Sequence, residues 1–133
     1  MIKKERPILK HPNLSIVEAT EAHAVSLAPR LRKEDIDEIN AEGLSDVLKA
    51  LLFSVHNSAE CYAVLLTRNE GEEPLPIALF GIGKRSYPFS VVWLLGSDEL
   101  VQGRTAYIFL RHSLLWMDYF LNHYGPIGNS VHV

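Results

Sequence analysis

The spacing of apolar residues predicts a long helix in the last third of the chain. Between residues 98 and 124, large apolar side chains recur at steps of four, three, four and three residues, the spacing of one face of an α-helix. This stripe consists of Leu110, Leu114, Met117, Leu121 and Tyr124, and it is widened by Phe109, Trp116 and Phe120. A helix with so wide an apolar surface must be covered by a sheet or by a neighbouring chain.

Two helical patterns precede the long helix. Thr20 is a residue type that caps helix starts, and Pro29 predicts that the helix beginning there ends or kinks near residue 28 and restarts at "RKEDIDEI". The segment "GLSDVLKALLFSVHNS" is more clearly amphipathic, and its start is marked by Ser45 and Asp46. We therefore expect two helical regions between residues 21 and 58.

Short, mostly apolar runs between turn residues predict the strands. They are "LSIVEAT", "CYAVLLT", "IALFGIG", "SVVWLLGS" and "NSVHV", and the polar segment "RNEGEEPLP" separates the second from the third. Gly81 and Gly83 fall inside the third run, which indicates a β-bulge or a close backbone approach.

The order strand, helix, helix, three strands, long helix, strand predicts an α+β fold with a mixed, mostly antiparallel sheet and packed helices. Short connections favour an antiparallel meander for the three middle strands. The long helix favours a parallel crossover to the last strand. We expect a single domain over residues 14–133, preceded by an N-terminal arm over residues 1–13.

Composition narrows the choice of partners. The chain has 133 residues, 47% of them hydrophobic, and a formal net charge of −3, so it offers no general attraction to nucleic acid. Basic residues concentrate in the arm, at Lys3, Lys4, Arg6 and Lys10. We expect the arm to be a frayed, solvated terminus, or else to dock on a partner protein or on nucleic acid.

The single cysteine, Cys61, excludes an internal disulfide and a multi-cysteine metal site, and its place in a predicted buried strand favours a packing role. His112 and His123 are about 16 Å apart along the predicted helix, too far to share a metal ion. The cysteine count and the histidine spacing therefore predict no metal site. Arg111 and Asp118 help to interrupt the most apolar run, so the sequence also predicts no membrane span.

The order of elements resembles the first two-thirds of the GNAT N-acetyltransferase fold, without its C-terminal helix and last strands. The amino-acid sequence itself resembles a narrower family, the small GNAT-related proteins of short-tailed bacteriophages called internal virion protein A or internal core protein. The resemblance covers most of residues 31–131, through the blocks "LRKEDIDEI", "SAECYAVL", "IALFGIG", "WLLGSDEL" and "FLRHSLLWMDYFLNHYGPIGN".

The family resemblance implies a protein of the virion or the assembling phage particle, made late in infection in the host cytoplasm. It implies a role in building the internal core and the ejection apparatus, with other virion proteins or copies of the same chain as partners. The fold resemblance implies an alternative, an acetyl-coenzyme A-dependent N-acetyltransferase. A shared scaffold does not by itself carry shared chemistry.

The resemblance to acetyltransferases also implies where a cofactor would bind. Exposed backbone groups of Leu94, Leu95 and Gly96 would pair with the pantetheine arm of coenzyme A. In the following loop, backbone N–H groups at a helix start would surround the pyrophosphate. Gly103 and Arg104 are the nearest compatible elements in this chain, since they offer one flexible peptide and one cation.

The loop departs from the acetyltransferase pattern at two positions. Thr105 and Tyr107 stand where the family has glycine or another small residue, and a Cβ there holds a phosphate away from the backbone. Asp98 and Glu99 are expected at the start of the long helix, where they would stabilise its dipole and repel a pyrophosphate. These departures favour a protein without a cofactor.

No catalytic residue can be assigned from the sequence. The resemblance implies that a tyrosine acid would come from a helix after the fifth strand, and the sequence stops at Val133 before such a helix. Three explanations are open: the sequence is part of a longer product, another chain supplies the missing part, or the site never existed. We expect a non-catalytic assembly protein, with the N-acetyltransferase as the alternative and a phage effector that blocks a host protein as a third reading.

Overall fold

Five strands form one mixed sheet. The computed structural model describes residues 5–43, 46–84 and 90–129, and within them the strands lie in the order β1-β2-β3-β4-β5. Neighbours from β1 to β4 are antiparallel, and β5 is parallel to β4. The strands are β1 Leu14–Glu18, β2 Ser58–Leu66, β3 Leu75–Gly83, β4 Ser90–Gly96 and β5 Ile127–Asn129. This confirms the predicted α+β class, the meander and the parallel crossover, while the GNAT-likeness stays a prediction.

Four α-helices pack on the sheet within the described residues. They are α1 Glu21–Leu27, α2 Lys33–Ala41, α3 Val47–Asn57 and α4 Gly103–Tyr124, with short 3₁₀ turns at Ala28–Arg30 and Asp98–Val101. Thr20 caps α1 as predicted: its hydroxyl accepts a hydrogen bond from the His23 backbone N–H at 3.3 Å. Pro29 lies in the 3₁₀ turn where the first helical region breaks.

Alternate residues of the central strands face two separate cores, because successive side chains of a strand point to opposite faces of the sheet. On one face, Ala63 and Leu79 are fully buried under α1, α2 and α3. On the other face, Val64 and Phe80 pack against α4. Both faces of the sheet centre are therefore covered.

The close approach predicted at the strand glycines occurs at Gly81. A Cβ built on Gly81 would lie 2.3 Å from the backbone oxygen of Glu60 and 3.1 Å from the Trp93 ring. The register between β2 and β3 shifts between Ser58 and Glu60, which pair with Gly83 and Ile82, so the bulge lies next to the Cys61–Gly81 pair. Gly81 is required because β2 and β4 leave no room for a side chain between them.

Several predicted boundaries differ from the structure. The α-helical part of the last helical segment starts at Gly103, and the preceding residues form a separate 3₁₀ turn. The last strand is centred on residue 128, earlier than "NSVHV", whose residues 130–133 lie outside the described ranges. Of the two residues expected to start α3, Asp46 accepts a hydrogen bond from the Lys49 N–H, whereas Ser45 lies outside the described residues.

Part of the basic arm lies within the described residues. The Arg6 guanidinium donates a hydrogen bond to the Glu18 carboxylate at 2.9 Å and lies over the Tyr62 ring, 5.4 Å from its centroid. Leu9 packs against the core that α4 covers. Lys3 and Lys4 lie outside the described residues.

Candidate functional site

The edge of β4 is the place where the resemblance to acetyltransferases implies that coenzyme A would lie if the chain bound it. Within the described residues, β5 pairs in parallel with Ser90, Val91 and Val92 of β4. In the antiparallel ladder with β3, alternate residues direct their backbone groups to the partner strand. The Ser97 N–H bonds to Ile77 of β3, so Leu94 and Gly96 direct theirs away from β3.

The outward backbone groups of Gly96 are occupied by the chain itself. Its N–H donates to the Asp35 carboxylate at 2.8 Å, and its carbonyl accepts from the Arg32 N–H at 2.9 Å. The Asp35 carboxylate is buried, and it also accepts two hydrogen bonds from the Arg32 guanidinium, at 3.1 and 3.2 Å. These contacts fill the hydrogen-bonding positions that a pantetheine arm would use at Gly96.

Sequence reasoning missed this contact. Asp35 and Gly96 are 61 positions apart, and Asp35 looks like one more acid in the polar pattern of "RKEDIDEI". The only signal is the spacing of Arg32 and Asp35, which permits an i,i+3 ion pair on a helix. That spacing does not reveal the backbone group at the other side of the carboxylate.

The other predicted strand residues have different surroundings. The Leu94 side chain is exposed, whereas Leu95 is half-buried against the core under α1 to α3. A Cβ on Gly96 would lie 2.7 Å from the Leu100 side chain, so this glycine makes room for the 3₁₀ turn that follows it. The structure therefore gives Gly96 a packing role.

The expectation that Asp98 and Glu99 lie at the start of the long helix is wrong. They belong to the 3₁₀ turn, where the Glu99 carboxylate accepts a hydrogen bond from Arg68. The first turn of α4 contains no acidic residue and begins at Gly103, whose φ is +46°. Arg104 follows in an exposed position. Repulsion by acids at the helix start therefore does not argue against an anion there.

An apolar groove of about 330 Å³ lies between β4 and the first half of α4. Its sides include Leu94 from the strand and Leu110 and Met117 from the helix, and its base includes Phe109 and Trp116. Among the described residues, no charged side chain lines it. The groove suits an apolar side chain better than a pyrophosphate.

A larger groove of about 740 Å³ lies on the α2 side of β4. Its lining includes four acidic side chains of α2 and its C-terminal end in addition to Asp35, namely Glu34, Asp37, Glu38 and Glu42. Arg32 is the one basic residue in that lining among the residues that the structure describes. Acidic groups so placed disfavour an anionic cofactor on this side of the strand.

The face that α4 turns to the sheet differs from the predicted stripe. Phe109, Trp116 and Phe120, which only widen the stripe in the sequence, are buried. Trp116 packs with its ring centroid 4.5 Å from Tyr62 and 5.1 Å from Phe80. The sheet therefore covers the aromatic side of α4 and leaves most of the leucine side uncovered.

We call the uncovered apolar residues that share one side of this helix the α4 stripe. They are Tyr107, Leu110, Leu114, Met117 and Leu121, with exposed fractions of 59%, 66%, 69%, 37% and 51%. Large exposed apolar patches on a folded protein mark interaction surfaces. The stripe is therefore the second candidate functional site.

A cluster around Glu60 connects β2 to the end of α4. Its carboxylate accepts hydrogen bonds from the hydroxyls of Tyr62, Tyr119 and Tyr124, and Arg6 lies 3.9 Å from it. Burial opposes ionisation of Glu60, but the three hydroxyls and the Arg6 charge outweigh it and lower its pKa. Burial and the Glu60 charge raise the pKa of Tyr62 and Tyr124, which stay protonated donors.

The lowered pKa of Glu60 predicts a loss of stability in acid. A carboxylate whose folded pKa lies below its unfolded value stabilises the fold above the unfolded value of about 4.5, and this contribution disappears as the pH falls through the folded pKa. We expect Glu60→Gln to lower the free energy of unfolding at pH 7, and the difference from wild type to shrink below about pH 4. Urea unfolding between pH 7 and pH 3 measures this.

Glu70→Gln, in the exposed turn between β2 and β3, is the control for the pH series. It should follow the wild-type curve throughout the series. A difference between wild type and Glu60→Gln that is constant from pH 7 to pH 3 would contradict the role assigned to Glu60.

Cys61 and His112 have the properties of packing residues. Burial raises the pKa of the Cys61 thiol to about 12, so the thiolate is not the nucleophile at neutral pH. Burial lowers the pKa of His112, whose Nε2 accepts a hydrogen bond from the Trp116 indole at 3.0 Å. Within the described ranges, no group of three or more His, Cys, Asp or Glu side chains is arranged to hold a metal ion.

No described helix combines the length and the hydropathy required to cross a bilayer. Comparison with known proteins found no matching family model, no matching curated protein and no matching solved structure. The functional assignment therefore rests on the sequence resemblance and on the geometry of the two candidate sites.

Proposed function

We propose that this chain is a non-catalytic protein-binding subunit that acts through the α4 stripe. The observation that carries the proposal is the exposure of Leu110, Leu114 and Leu121 on a helix whose other side is buried in the core. Covering one such side chain with a partner contributes about 1.5–3 kcal/mol, so several together can hold a specific complex. The stripe lies on a 22-residue helix, which presents it as a rigid surface.

The surroundings of β4 support a binding role over catalysis. The Asp35 carboxylate and the Arg32 N–H occupy the outward backbone groups of Gly96, and the groove beside Leu94 is apolar. A cofactor with a pyrophosphate would need N–H donors and cations at this place. The groove instead extends the apolar surface of the α4 stripe toward the strand.

The biological setting of the proposal comes from the sequence blocks that resemble internal virion protein A. On that basis the partners are other virion proteins of a short-tailed phage or copies of this chain, and the protein belongs to the virion or to the particle assembling in the host cytoplasm. We propose this setting as the one in which a small protein with an exposed apolar helix is assembled with others. The basic arm is the one segment proposed to contact nucleic acid.

Binding by the stripe is tested with a matched pair of variants. Leu114 and Leu115 are both exposed, at 69% and 56%, but adjacent helix positions point about 100° apart, so only Leu114 lies on the stripe. We expect Leu114→Asp to weaken association with purified core proteins of such a phage by about 30-fold or more, and Leu115→Asp to change it by about threefold or less. Sedimentation velocity of the mixtures measures both.

Equal effects of the two variants would show that the stripe is not the binding surface. A wild-type chain that neither self-associates nor binds any core protein would overturn the proposed function. Far-ultraviolet circular dichroism of each variant, before mixing, checks that the fold is retained.

The second candidate function is an N-acetyltransferase that uses acetyl-coenzyme A. It is favoured by the start of α4, whose first turn contains no acidic residue that would repel a pyrophosphate. We expect no heat of binding on titration with 1 mM coenzyme A. Micromolar binding would replace the proposed function with this one.

A further inference from the structure

We propose that the α4 stripe pairs with the α4 stripe of a second copy of this chain, with the two helices antiparallel about a twofold axis. The inference rests on the proposed function, since it assigns an occupant to the same surface. It adds the identity of the partner, the relative direction of the helices and the contacts between them.

The spacing of the stripe is that of a coiled-coil seam. Tyr107, Leu110, Leu114, Met117 and Leu121 follow one another at steps of three, four, three and four residues, the pattern with which two helices pack side by side. The seam extends over about 21 Å of helix. It is long enough to form the centre of a two-helix contact.

Charges beside the seam favour a second copy as the partner. Arg111 and Asp118 are exposed and lie two helical turns apart on the same flank, each directly after a seam residue. In an antiparallel pair, equivalent flanks of the two helices face each other. Arg111 of each copy then lies beside Asp118 of the other, so the twofold arrangement forms two ion pairs of opposite charge.

The parallel arrangement gives no such complementarity. In a parallel pair the flank with Arg111 and Asp118 faces the opposite flank of the neighbouring helix. That flank contains Ala106, Ser113 and Phe120 and no charge. Electrostatic complementarity therefore selects the antiparallel direction.

The twofold axis fixes which side chains meet. With Arg111 beside Asp118 of the second copy, Leu114 of each chain packs against Met117 of the other, and Leu110 packs against Leu121. The apolar groove between β4 and α4 is bordered by Leu110 and Met117, so it lies next to the incoming helix. The antiparallel contact thus continues from the helix onto the exposed Leu94 side chain.

Charge reversal tests the arrangement on the full chain without any other protein. We expect the wild type to sediment as a dimer at micromolar concentration. Arg111→Asp alone and Asp118→Arg alone each create two like-charged pairs per dimer and should each weaken dimerisation by about tenfold. An equimolar mixture of the two variants restores two pairs of opposite charge and should dimerise about as tightly as the wild type.

Each reversal also removes an interaction inside the chain, since Arg111 and Asp118 both have one. The Arg111 guanidinium donates to the Tyr107 hydroxyl at 3.1 Å. Leu114→Asp should weaken dimerisation by about 100-fold, and Leu115→Asp by about threefold or less. Restored dimerisation in the mixture of Arg111→Asp and Asp118→Arg chains is the result that a merely structural effect of either substitution would not produce.

Cysteine cross-linking measures the helix direction separately. In a Cys61→Ala background, an oxidised mixture of Leu114→Cys and Met117→Cys chains should form mainly the mixed disulfide, because these positions meet in the antiparallel pair. A disulfide mainly between identical chains would indicate the parallel arrangement and would overturn the inference.

Failure of the inference can be distinguished from failure of the proposed function. A chain that stays monomeric at 200 μM overturns self-pairing. If such a monomer still binds core proteins and loses that binding on Leu114→Asp, the proposed function stands with a different occupant. Dimers that are unaffected by Leu114→Asp and by both charge reversals form elsewhere, and this result also overturns the inference.

Discussion

Replacing Gly81 with alanine is expected to destabilise the domain by about 3 kcal/mol or more, an effect at the upper end for an overpacked core position. The added Cβ would lie 2.3 Å from the backbone oxygen of Glu60, closer than any real Cβ contact. Because that oxygen belongs to the neighbouring strand, relief requires β2 to move away from β3 and breaks ladder hydrogen bonds in the centre of the sheet. Urea unfolding followed by circular dichroism measures the loss.

Gly83→Ala is the matched control for this prediction. Both glycines lie in β3, but a Cβ on Gly83 would meet its nearest described atom, the Val91 backbone oxygen, at 3.7 Å, an ordinary contact. We expect its effect to stay within about 1 kcal/mol. A Gly81→Ala protein as stable as Gly83→Ala would show that β2 does not approach Gly81 as closely as described.

Replacing Asp35 with alanine is expected to cost about 3 kcal/mol. The change removes one buried carboxylate and leaves two donors without their partner, the Gly96 N–H and the Arg32 guanidinium. It therefore loosens a contact by which an α2 side chain hydrogen-bonds to the end of β4. The free energy of unfolding measures the effect on the whole domain, and hydrogen exchange at Gly96 measures it at the contact.

The control is Asp37→Ala, on the same helix. Asp37 has a 61% exposed side chain and pairs with Lys33 at 4.0 Å, so its removal should cost less than about 0.5 kcal/mol. Faster exchange at Gly96 in Asp35→Ala but not in Asp37→Ala is the expected pattern. Unchanged exchange in Asp35→Ala would contradict the assigned hydrogen bond.

Asp35→Ala also bears on the second candidate function. If a cofactor arm could pair with β4, freeing the Gly96 N–H would expose one of the donors it needs. We expect the variant to remain unable to bind coenzyme A, since the groove beside Leu94 is apolar and the other groove is acidic. Binding gained by this variant would indicate that the Asp35 contact alone blocks a cofactor site.

Much of the fold was predictable because it depends on local patterns. Short β-branched runs between turn residues indicated the strands, and Pro29 indicated where the first helical region breaks. The closing of α4 at Gly125, with φ of +75°, follows from the freedom of glycine at a helix end. The start of α4 was less predictable, because acidic residues followed by apolar ones, as in Asp98–Val101, are compatible with a 3₁₀ turn as well as with the first turn of an α-helix.

The candidate sites were only partly predictable, because each depends on residues far apart in the chain. The resemblance to acetyltransferases pointed to Leu94 and Gly96 at a strand edge, but the sequence gave no sign that Asp35 would hydrogen-bond to Gly96. It offered no indication of the Glu60 cluster, whose three tyrosines come from β2 and from α4. Hydrogen-bond partners of this kind appear only when the strands and helices are assembled.

The apolar pattern by itself determined that the last third of the chain forms a helix with too much apolar surface for one contact. Only the tertiary structure decided that the side with Trp116 faces the sheet and the side with Leu114 faces outward. The physical reason is that both sides are apolar, and the choice depends on shape: the sheet presents Tyr62 and Phe80, whose rings pack with Trp116 and Phe120. The leucines left outside are the surface through which we propose that the protein acts.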